Sequence, residues 1–298
     1  MKNSLRAYID LTRAHFSFVW PLLFCSGLVL AFEKYGSFSW SLTIRAALTG
    51  LCGFEAGLVL NDYVDREIDK KDIEFDRLTK YWRPFGERPL SSGLIDPRKA
   101  LGLFLLLVTL SSALIATLPY PNSLYVLGVM AYSYFVEVFY QVRKREQRFP
   151  LAQLLGRTDL SLFPIAGYLC YGQPDGTALS YFMFFYPWTL AHLGLNDLAD
   201  IRNDKARNVK TVTVLYGTEG TARWILLFTL LHFGMAPLFL IRLGSIALGG
   251  FLIAFCLLII ANCIVMGGKN PESGLRALPL FHLAMILYAA AIILDYAY

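Results

Sequence analysis

The sequence predicts an all-α membrane protein whose helices cross the bilayer many times. Of its 298 residues, 56% are hydrophobic and only 16% are charged, a balance that is unusual in water-soluble domains. Apolar stretches recur along the whole chain, and they are long enough to cross a hydrocarbon core of about 30 Å. We therefore expect one polytopic transmembrane domain over residues 1–298, without a separate soluble domain.

Nine apolar segments are candidate membrane spans under a length requirement of about 17–22 residues. Their approximate ranges are 14–32, 41–60, 100–118, 123–141, 158–172, 179–196, 222–241, 245–265 and 278–296. The first follows charged residues but has no small-residue cleavage site, so we interpret it as retained structure and not as a signal peptide. The expected architecture is a bundle of nine transmembrane helices.

Basic residues predict the orientation of this bundle. All Lys and Arg except Lys34, Arg45 and Arg242 lie in the N-terminus or in connections that the nine spans place on one side. Because cytoplasmic loops collect Lys and Arg, we expect the N-terminus inside and the C-terminus outside, in a cell or inner membrane. This topology accounts for the net charge of +5, so we predict a lipid bilayer and no nucleic acid as partner.

One acidic pattern occurs twice, each time after an apolar segment. Its residues are, in matching order, Asn61, Asp62, Asp65 and Asp69 in the first copy and Asn196, Asp197, Asp200 and Asp204 in the second. Since a helix turns by about 100° per residue, we expect each row of carboxylates to share one helix face. Crowded anions at a membrane boundary require cations, most naturally hard divalent ions. The pattern predicts metal-assisted chemistry on an anionic substrate.

Basic residues follow both acidic copies. The first acidic-motif loop, about 61–99, contains Arg88 in the run R-P-L-S-S-G, and the second, about 197–221, contains Lys205. Basic groups and hydroxyls beside carboxylates suit a diphosphate whose charge metal ions only partly neutralise. Contacts with lipid headgroups are the alternative interpretation.

Three further side chains are candidate substrate contacts. Lys144 and Arg145 end the fourth predicted span, where they would bind phosphate or act as ordinary membrane anchors. His192 lies one helical turn before Asn196 and would contact the substrate or have a structural role.

These motifs together resemble those of the UbiA superfamily of intramembrane prenyltransferases. That family pairs N-D-x-x-D-x-x-x-D after the second helix with D-x-x-x-D after the sixth, and an R-P-L-x-x-G segment follows the first motif. The matching segments here are 61–69, 200–204 and 88–93. The resemblance covers essentially the whole chain and implies a central cavity with a cytoplasmic cap over two Mg²⁺ ions that bind a polyprenyl diphosphate.

The resemblance also implies an activity and a set of site residues. We expect a prenyltransferase that moves a polyprenyl group to a lipophilic, aromatic acceptor and releases diphosphate. The expected catalytic residues are Asp65, Asp69, Asp200 and Asp204; the expected metal ligands are Asn61, Asp62, Asp65, Asp69, Asp197, Asp200 and Asp204; and the expected substrate contacts are Arg13, Arg88, Lys144, Arg145, Lys205 and His192. The family often has Arg-Pro where this chain has Arg13-Ala14.

Two other classes of membrane protein use several carboxylates. A cation-coupled carrier would place them near the bilayer midplane, whereas these lie at one predicted membrane face. A phospholipid-forming phosphotransferase would show a D-G-x-x-A-R segment, which is absent from the sequence. Quinone precursors, porphyrins, chlorin alcohol esters and glycerol-type lipids all stay open as acceptors.

Overall fold

The computed structural model describes residues 2–298, and within that range it is helical and contains no β-strand. Its α-helices are, in order, α1 (Lys2–Leu11), α2 (Val19–Tyr35), α3 (Trp40–Asp65), α4 (Leu78–Trp82), α5 (Pro97–Ala116), α6 (Asn122–Arg143), α7 (Leu151–Gly156), α8 (Thr158–Leu169), α9 (Gly176–Ala199), α10 (Ile201–Arg207), α11 (Val212–Leu240), α12 (Ser245–Gly268) and α13 (Pro271–Ala297). The all-α class is confirmed.

By length and composition, seven helical segments in the described range are able to cross a membrane. They are Ala14–Tyr35, Trp40–Asp65, Pro97–Ala116, Asn122–Arg143, Val212–Leu240, Ser245–Gly268 and Pro271–Ala297. Each overlaps one predicted span. The other two predicted spans fall on α8, which has only 12 residues, and on α9, which has 24 residues but carries many polar side chains. The count of nine spans stays a prediction.

Helix α9 forms the centre of the bundle, and most of its residues are buried. It packs mainly against α11 and also contacts α13 and α8. Helices α2 and α8 approach each other closely at two glycines. A Cβ atom at Gly27 would lie 1.8 Å from the carbonyl oxygen of Pro164, and a Cβ atom at Gly167 would lie 1.8 Å from the carbonyl oxygen of Phe24. Helices α5 and α6 carry many exposed apolar side chains, as lipid-facing helices do.

Both acidic copies begin at the end of a long helix and continue beyond it. Helix α3 ends at Asp65, and Asp69 opens a short 3-10 turn. Helix α9 ends at Ala199, and the backbone of Asp200 leaves the helical region with φ −103° and ψ 12° before α10 begins. The expectation that each row of carboxylates occupies one continuous helix face is therefore wrong, because the chain turns within each copy.

Residues 66–96, including α4, cover the ends of α3 and α9. Asn203 holds this segment from one side, since its Oδ1 accepts a hydrogen bond from the backbone N–H of Glu74 at 2.9 Å and its Nδ2 donates to the Glu74 carbonyl at 2.8 Å. On the other side, Asp10 accepts a hydrogen bond from the backbone N–H of Phe85 at 3.0 Å. The segment therefore lies over the acidic copies, and its cytoplasmic location stays a prediction.

Candidate functional site

A cavity of about 200 Å³ lies where α3 and α9 end. Carboxylates from both acidic copies line it, namely Asp65, Asp69, Asp197, Asp200 and Asp204. Basic side chains complete this polar end, namely Arg13, Arg83, Arg88, Lys144, Arg157 and Arg207. Apolar side chains also line it, and they include Phe54 and Leu58, which precede Asp65 on α3, and Trp188 and Leu193, which precede Asp200 on α9. The fold thus brings both copies to one cavity with a charged end and an apolar end.

Asp62 lies behind the cavity wall and holds two arginines in place. Its oxygens accept hydrogen bonds from Arg83 Nη2 at 2.7 and 2.8 Å, and Arg13 Nη2 donates to Asp62 Oδ1 at 3.1 Å. Asp62 is not among the residues that line the cavity, although Arg13 and Arg83 are. The observed pairing gives Asp62 a positioning role, and its binding of metal stays a prediction.

Asp65 is paired with the basic end of α6. Lys144 Nζ donates to Asp65 Oδ2 at 2.7 Å, and Arg145 Nη2 lies 3.3 Å from Asp65 Oδ1. Lys144 is buried and lines the cavity, whereas the Arg145 side chain is 36% exposed and lies outside the lining. Of these two predicted substrate contacts, only Lys144 therefore faces the cavity.

Arg88 and Arg207 join the two acidic copies. Arg88 lies 2.8 Å from Asp69 and 3.9 Å from Asp200. Arg207 lies 3.4 Å from Asp69 and 3.3 Å from Asp200. Both arginines also contact the buried carboxylate of Asp72. The two guanidinium groups therefore neutralise carboxylates that repulsion would otherwise push apart.

Burial and charge shift the pKa values of these groups in the expected directions. Burial, together with the neighbouring Asp200 and Asp197, raises the pKa of the Asp204 carboxyl well above its usual value. Burial lowers the pKa of Arg207, but the carboxylates of Asp200, Asp72 and Asp69 outweigh that effect and raise it well above its ordinary value. The cluster therefore needs cations to keep its carboxylates ionised.

Lys205 is exposed and does not line the cavity, so its contact with substrate stays a prediction that the cavity does not support. Arg207 is the basic residue of this segment that lies in the cavity wall, 3.6 Å from Asp204. The reason is the turn of α10, where residues 204 and 207 share a face and residue 205 points away from it. The three-residue helical spacing from Asp204 is the sequence signal that favours Arg207 over Lys205 as the basic residue beside the carboxylates.

His192 belongs to a hydrogen-bonded chain beneath the covering segment. His192 Nε2 lies 2.8 Å from Nε2 of His282, whose Nδ1 lies 2.6 Å from the hydroxyl of Tyr81. Beside it, Trp82 Nε1 donates to Asn196 Oδ1 at 3.0 Å. Both histidines line the cavity. His282 was not predicted, because it lies 90 residues from its partner and no sequence pattern connects the two.

A second cavity, of about 180 Å³, adjoins the first. The two share the lining residues Arg13, Phe54, Leu58, Asn61, Arg157 and Leu160. Most of the second cavity's wall is apolar and comes from α3, α5, α6 and α8. At the junction, Asn61 Nδ2 donates to Glu137 Oε1 at 2.7 Å. Asn61, a predicted metal ligand, thus lies between the charged site and a membrane-embedded space.

The donor chemistry of the charged end fits a hard divalent ion. The carboxylates that line this end provide the oxygen ligands that such ions prefer. One of these oxygens, Asp69 Oδ1, is buried without a hydrogen-bond partner. Within residues 2–298, no three His, Cys, Asp or Glu side chains are already arranged to hold an ion. Arg88 and Arg207 lie among the carboxylates in this state, so an ion would exchange places with guanidinium groups.

Residues 18–293 match the UbiA prenyltransferase family. A 4-hydroxybenzoate octaprenyltransferase of Shewanella denitrificans is 32% identical over 179 residues, which are 60% of this chain and 55% of the relative. A protoheme IX farnesyltransferase of an Anaeromyxobacter species is 29% identical over 186 residues, 61% of this chain and 58% of the relative. The chain therefore spans less than two thirds of the length of either relative.

Solved structures share the fold. A UbiA homologue from Aeropyrum pernix K1 superposes with a TM-score of 0.75 at 20% identity, over 95% of this chain and 98% of that one. A UbiA homologue from Archaeoglobus fulgidus, bound to DMAPP and Mg²⁺, gives a TM-score of 0.67 at 17% identity, over 96% of this chain and 98% of that one. At these identities, the likeness shows the fold.

Proposed function

Because the chain belongs to the UbiA prenyltransferase family, we propose that it is an integral-membrane enzyme that transfers a polyprenyl group from a polyprenyl diphosphate to a lipophilic, aromatic acceptor. The division of the first cavity into a charged end and an apolar end carries this proposal. A diphosphate head fits the charged end, and an isoprenoid tail fits the apolar wall. The site faces the cytoplasm in this proposal, in a nine-span bundle with the N-terminus inside.

When metal and diphosphate bind at the charged end, they would replace the present ion pairs between carboxylates and basic side chains. Asn61, Asp65 and Asp69 would hold one Mg²⁺ ion, and Asp200 with Asp204 a second; the A. fulgidus homologue bound to DMAPP and Mg²⁺ supports the use of this metal. Bound there, the metal supplies Lewis-acid stabilisation of phosphate oxygens. The basic side chains that now contact these carboxylates would turn to the diphosphate.

Arginine and lysine side chains have a direct role in the proposed chemistry. When the allylic carbon to oxygen bond breaks, negative charge grows on the departing diphosphate. Arg88 and Arg207 can donate paired hydrogen bonds to those oxygens, and Lys144 adds a point charge. Such donors lower the barrier because they are already in place when the charge develops.

Aromatic side chains form the other half of the site. Trp20 and Phe54 stack with ring centroids 3.6 Å apart, and Trp188 stacks on His192 at 5.1 Å. These rings exclude water from the apolar end, and their faces attract the positive charge left on the allylic carbon. The cation therefore survives until the acceptor attacks it.

The test is release of diphosphate by the purified, detergent-solubilised chain. Geranyl, farnesyl and geranylgeranyl diphosphates would be offered with a mixture of acceptors, in the presence of Mg²⁺ or of a chelator. We expect release that requires both metal and acceptor and that Asp65→Asn abolishes. Asp76→Asn is the matched control, because Asp76 is exposed in the same connection. Equal activity of the wild type with metal and with chelator would contradict the proposal.

A further inference from the structure

One buried carboxylate near the charged end has no role in the proposed reaction. Asp72 lies outside the acidic pattern, three residues after Asp69, and its side chain is fully buried. Arg207 binds it at two points, since Nε donates to Oδ1 and Nη2 donates to Oδ2 at 2.8 Å. Asp72 Oδ2 also lies 2.7 Å from Nε of Arg88, as an ion pair. Asp72 is therefore an anion that two arginines share.

The contact with Asp72 leaves one end of the Arg207 guanidinium group directed at the cavity. Nε and Nη2 face Asp72, which does not line the cavity. Nη1 lies 3.3 Å from Asp200 and 3.6 Å from Asp204, which both line it. Asp72 thus fixes one edge of the guanidinium group, and Nη1 is left for groups inside the cavity.

The backbone around Asp72 is held by the same helix that carries Arg207. Asn203, one turn earlier on α10, accepts hydrogen bonds from the backbone N–H groups of Ile73 at 3.0 Å and Glu74 at 2.9 Å. These two residues directly follow Asp72. Helix α10 therefore holds the covering segment at two points. A side chain whose own support is fixed can hold another side chain in one orientation.

Asp72 and Arg207 occupy corresponding positions relative to the two acidic copies. Asp72 precedes Arg207 by 135 residues, the interval that also separates Asn61 from Asn196. The pair therefore joins the continuation of one copy to the same point of the other. A single contact thus sets how Arg207 lies relative to the carboxylates of both copies.

Diphosphate binding would make this contact more important than it is in the empty site. In the proposed function, Asp69, Asp200 and Asp204 hold Mg²⁺. These are three of the four carboxylates that Arg207 now contacts. Asp72 is not a proposed metal ligand, so it remains as the partner of Arg207. An arginine without a fixed partner must be ordered when the ligand binds, whereas one that is already held avoids that entropic cost.

We propose that Asp72 is a positioning residue for the diphosphate: it holds the guanidinium group of Arg207 so that Nη1 is directed at the phosphate oxygens when the present ion pairs are replaced. This inference rests on the proposed function and adds to it a residue outside both acidic patterns. A donor held in this way is already in place when charge grows on the leaving group. Asp72 acts through Arg207 and not by contact with substrate.

The test moves the Asp72 carboxylate without changing its charge. Asp72→Glu adds one methylene group, which displaces the carboxylate by about 1.5 Å. Full-length protein in detergent with Mg²⁺ would be titrated with non-hydrolysable farnesyl thiolodiphosphate, and equilibrium dialysis gives the dissociation constant and the number of sites. We expect Asp72→Glu to raise the dissociation constant at least about tenfold, as the loss of one charge-assisted hydrogen bond does, with an unchanged number of sites.

Asp76→Glu is the matched control, because Asp76 is exposed in the same connection, and it should leave the dissociation constant unchanged. Arg207→Lys shows whether the effect passes through Arg207, since lysine keeps the charge but lacks the planar fork that contacts both Asp72 oxygens. In the Arg207→Lys background, Asp72→Glu should change the dissociation constant by no more than about threefold.

An unchanged dissociation constant in Asp72→Glu would overturn the inference. So would fewer sites at an unchanged dissociation constant, which is the result of a merely structural role, or an equally large effect in the Arg207→Lys background. If Asp72→Glu does not fold, Asp72→Asn, which keeps the shape of the side chain, enters the same comparison, and its effect should likewise disappear in the Arg207→Lys background. Failure of the wild type to bind the thiolodiphosphate would instead count against the proposed function.

Discussion

Replacing Arg207 with glutamine should strongly destabilise the unliganded protein. The Arg207 guanidinium is almost fully buried and contacts four carboxylates, those of Asp69, Asp72, Asp200 and Asp204. Glutamine keeps a hydrogen-bonding side chain, but it is shorter and uncharged, so it leaves these anions without their common cation. Removing one partner of a buried ion pair costs about 3–5 kcal/mol. We therefore expect Tm to fall on the order of 5–10 °C.

The matched control lies on the same helix. Arg202 also pairs with a carboxylate, Glu74 at 3.1 Å, but its side chain is 59% exposed. Exposed pairs of this kind contribute about 0–1 kcal/mol, so Arg202→Gln should hardly change Tm. Both variants would be unfolded thermally in the same detergent, with chelator and with Mg²⁺.

Mg²⁺ should restore much of the stability that Arg207→Gln loses. A divalent ion can neutralise the freed carboxylates, and a ligand that binds only the folded state stabilises it. The Tm of the variant should therefore rise more on addition of Mg²⁺ than that of the wild type. Equal and small changes in Tm for Arg207→Gln and Arg202→Gln would refute the reasoning, as would a variant that is indifferent to Mg²⁺.

Two further predictions test the packing and the covering segment. Gly27→Ala should destabilise the fold by at least about 2 kcal/mol, because the new Cβ would lie 1.8 Å from the Pro164 carbonyl oxygen. Gly128→Ala is the control, since no atom lies within 4 Å of its Cβ. In thermal unfolding it should be neutral or stabilising. Tyr81→Phe removes the 2.6 Å hydrogen bond to His282; it should raise KM for the prenyl diphosphate about fivefold, and an unchanged KM would show that this contact does not hold the segment over the site.

The sequence was sufficient to predict the class of fold and to single out the two acidic segments that line the candidate site. Hydrophobic composition and span length depend on local residue content, so they predict membrane helices without knowledge of packing. The doubled acidic pattern singles out two segments of the chain, and Asp65 and Asp200 from these segments line one cavity. Spacing within each copy was less informative, because it assumed a helix that continues past Asp65 and past Ala199.

Partners distant in the sequence could not be predicted in the same way. Asp72 and Arg207 form a buried pair across 135 residues, and His282 meets His192 only because α13 packs beside α9. Such pairs depend on which helix faces which, and that is a property of the assembled bundle. Glu137 had no motif around it, although it lines the second cavity and accepts a hydrogen bond from Asn61.

Binding of a prenyl diphosphate analogue tests the central claim most directly. Farnesyl thiolodiphosphate would be titrated into the purified wild type, Asp200→Asn and the control Asp76→Asn, each with Mg²⁺ and with chelator. We expect tight binding only with Mg²⁺, a loss of at least about tenfold in affinity for Asp200→Asn, and wild-type behaviour for Asp76→Asn. Binding that is equally tight with chelator, or that Asp200→Asn leaves unchanged, would contradict a metal-dependent diphosphate site between the two acidic copies.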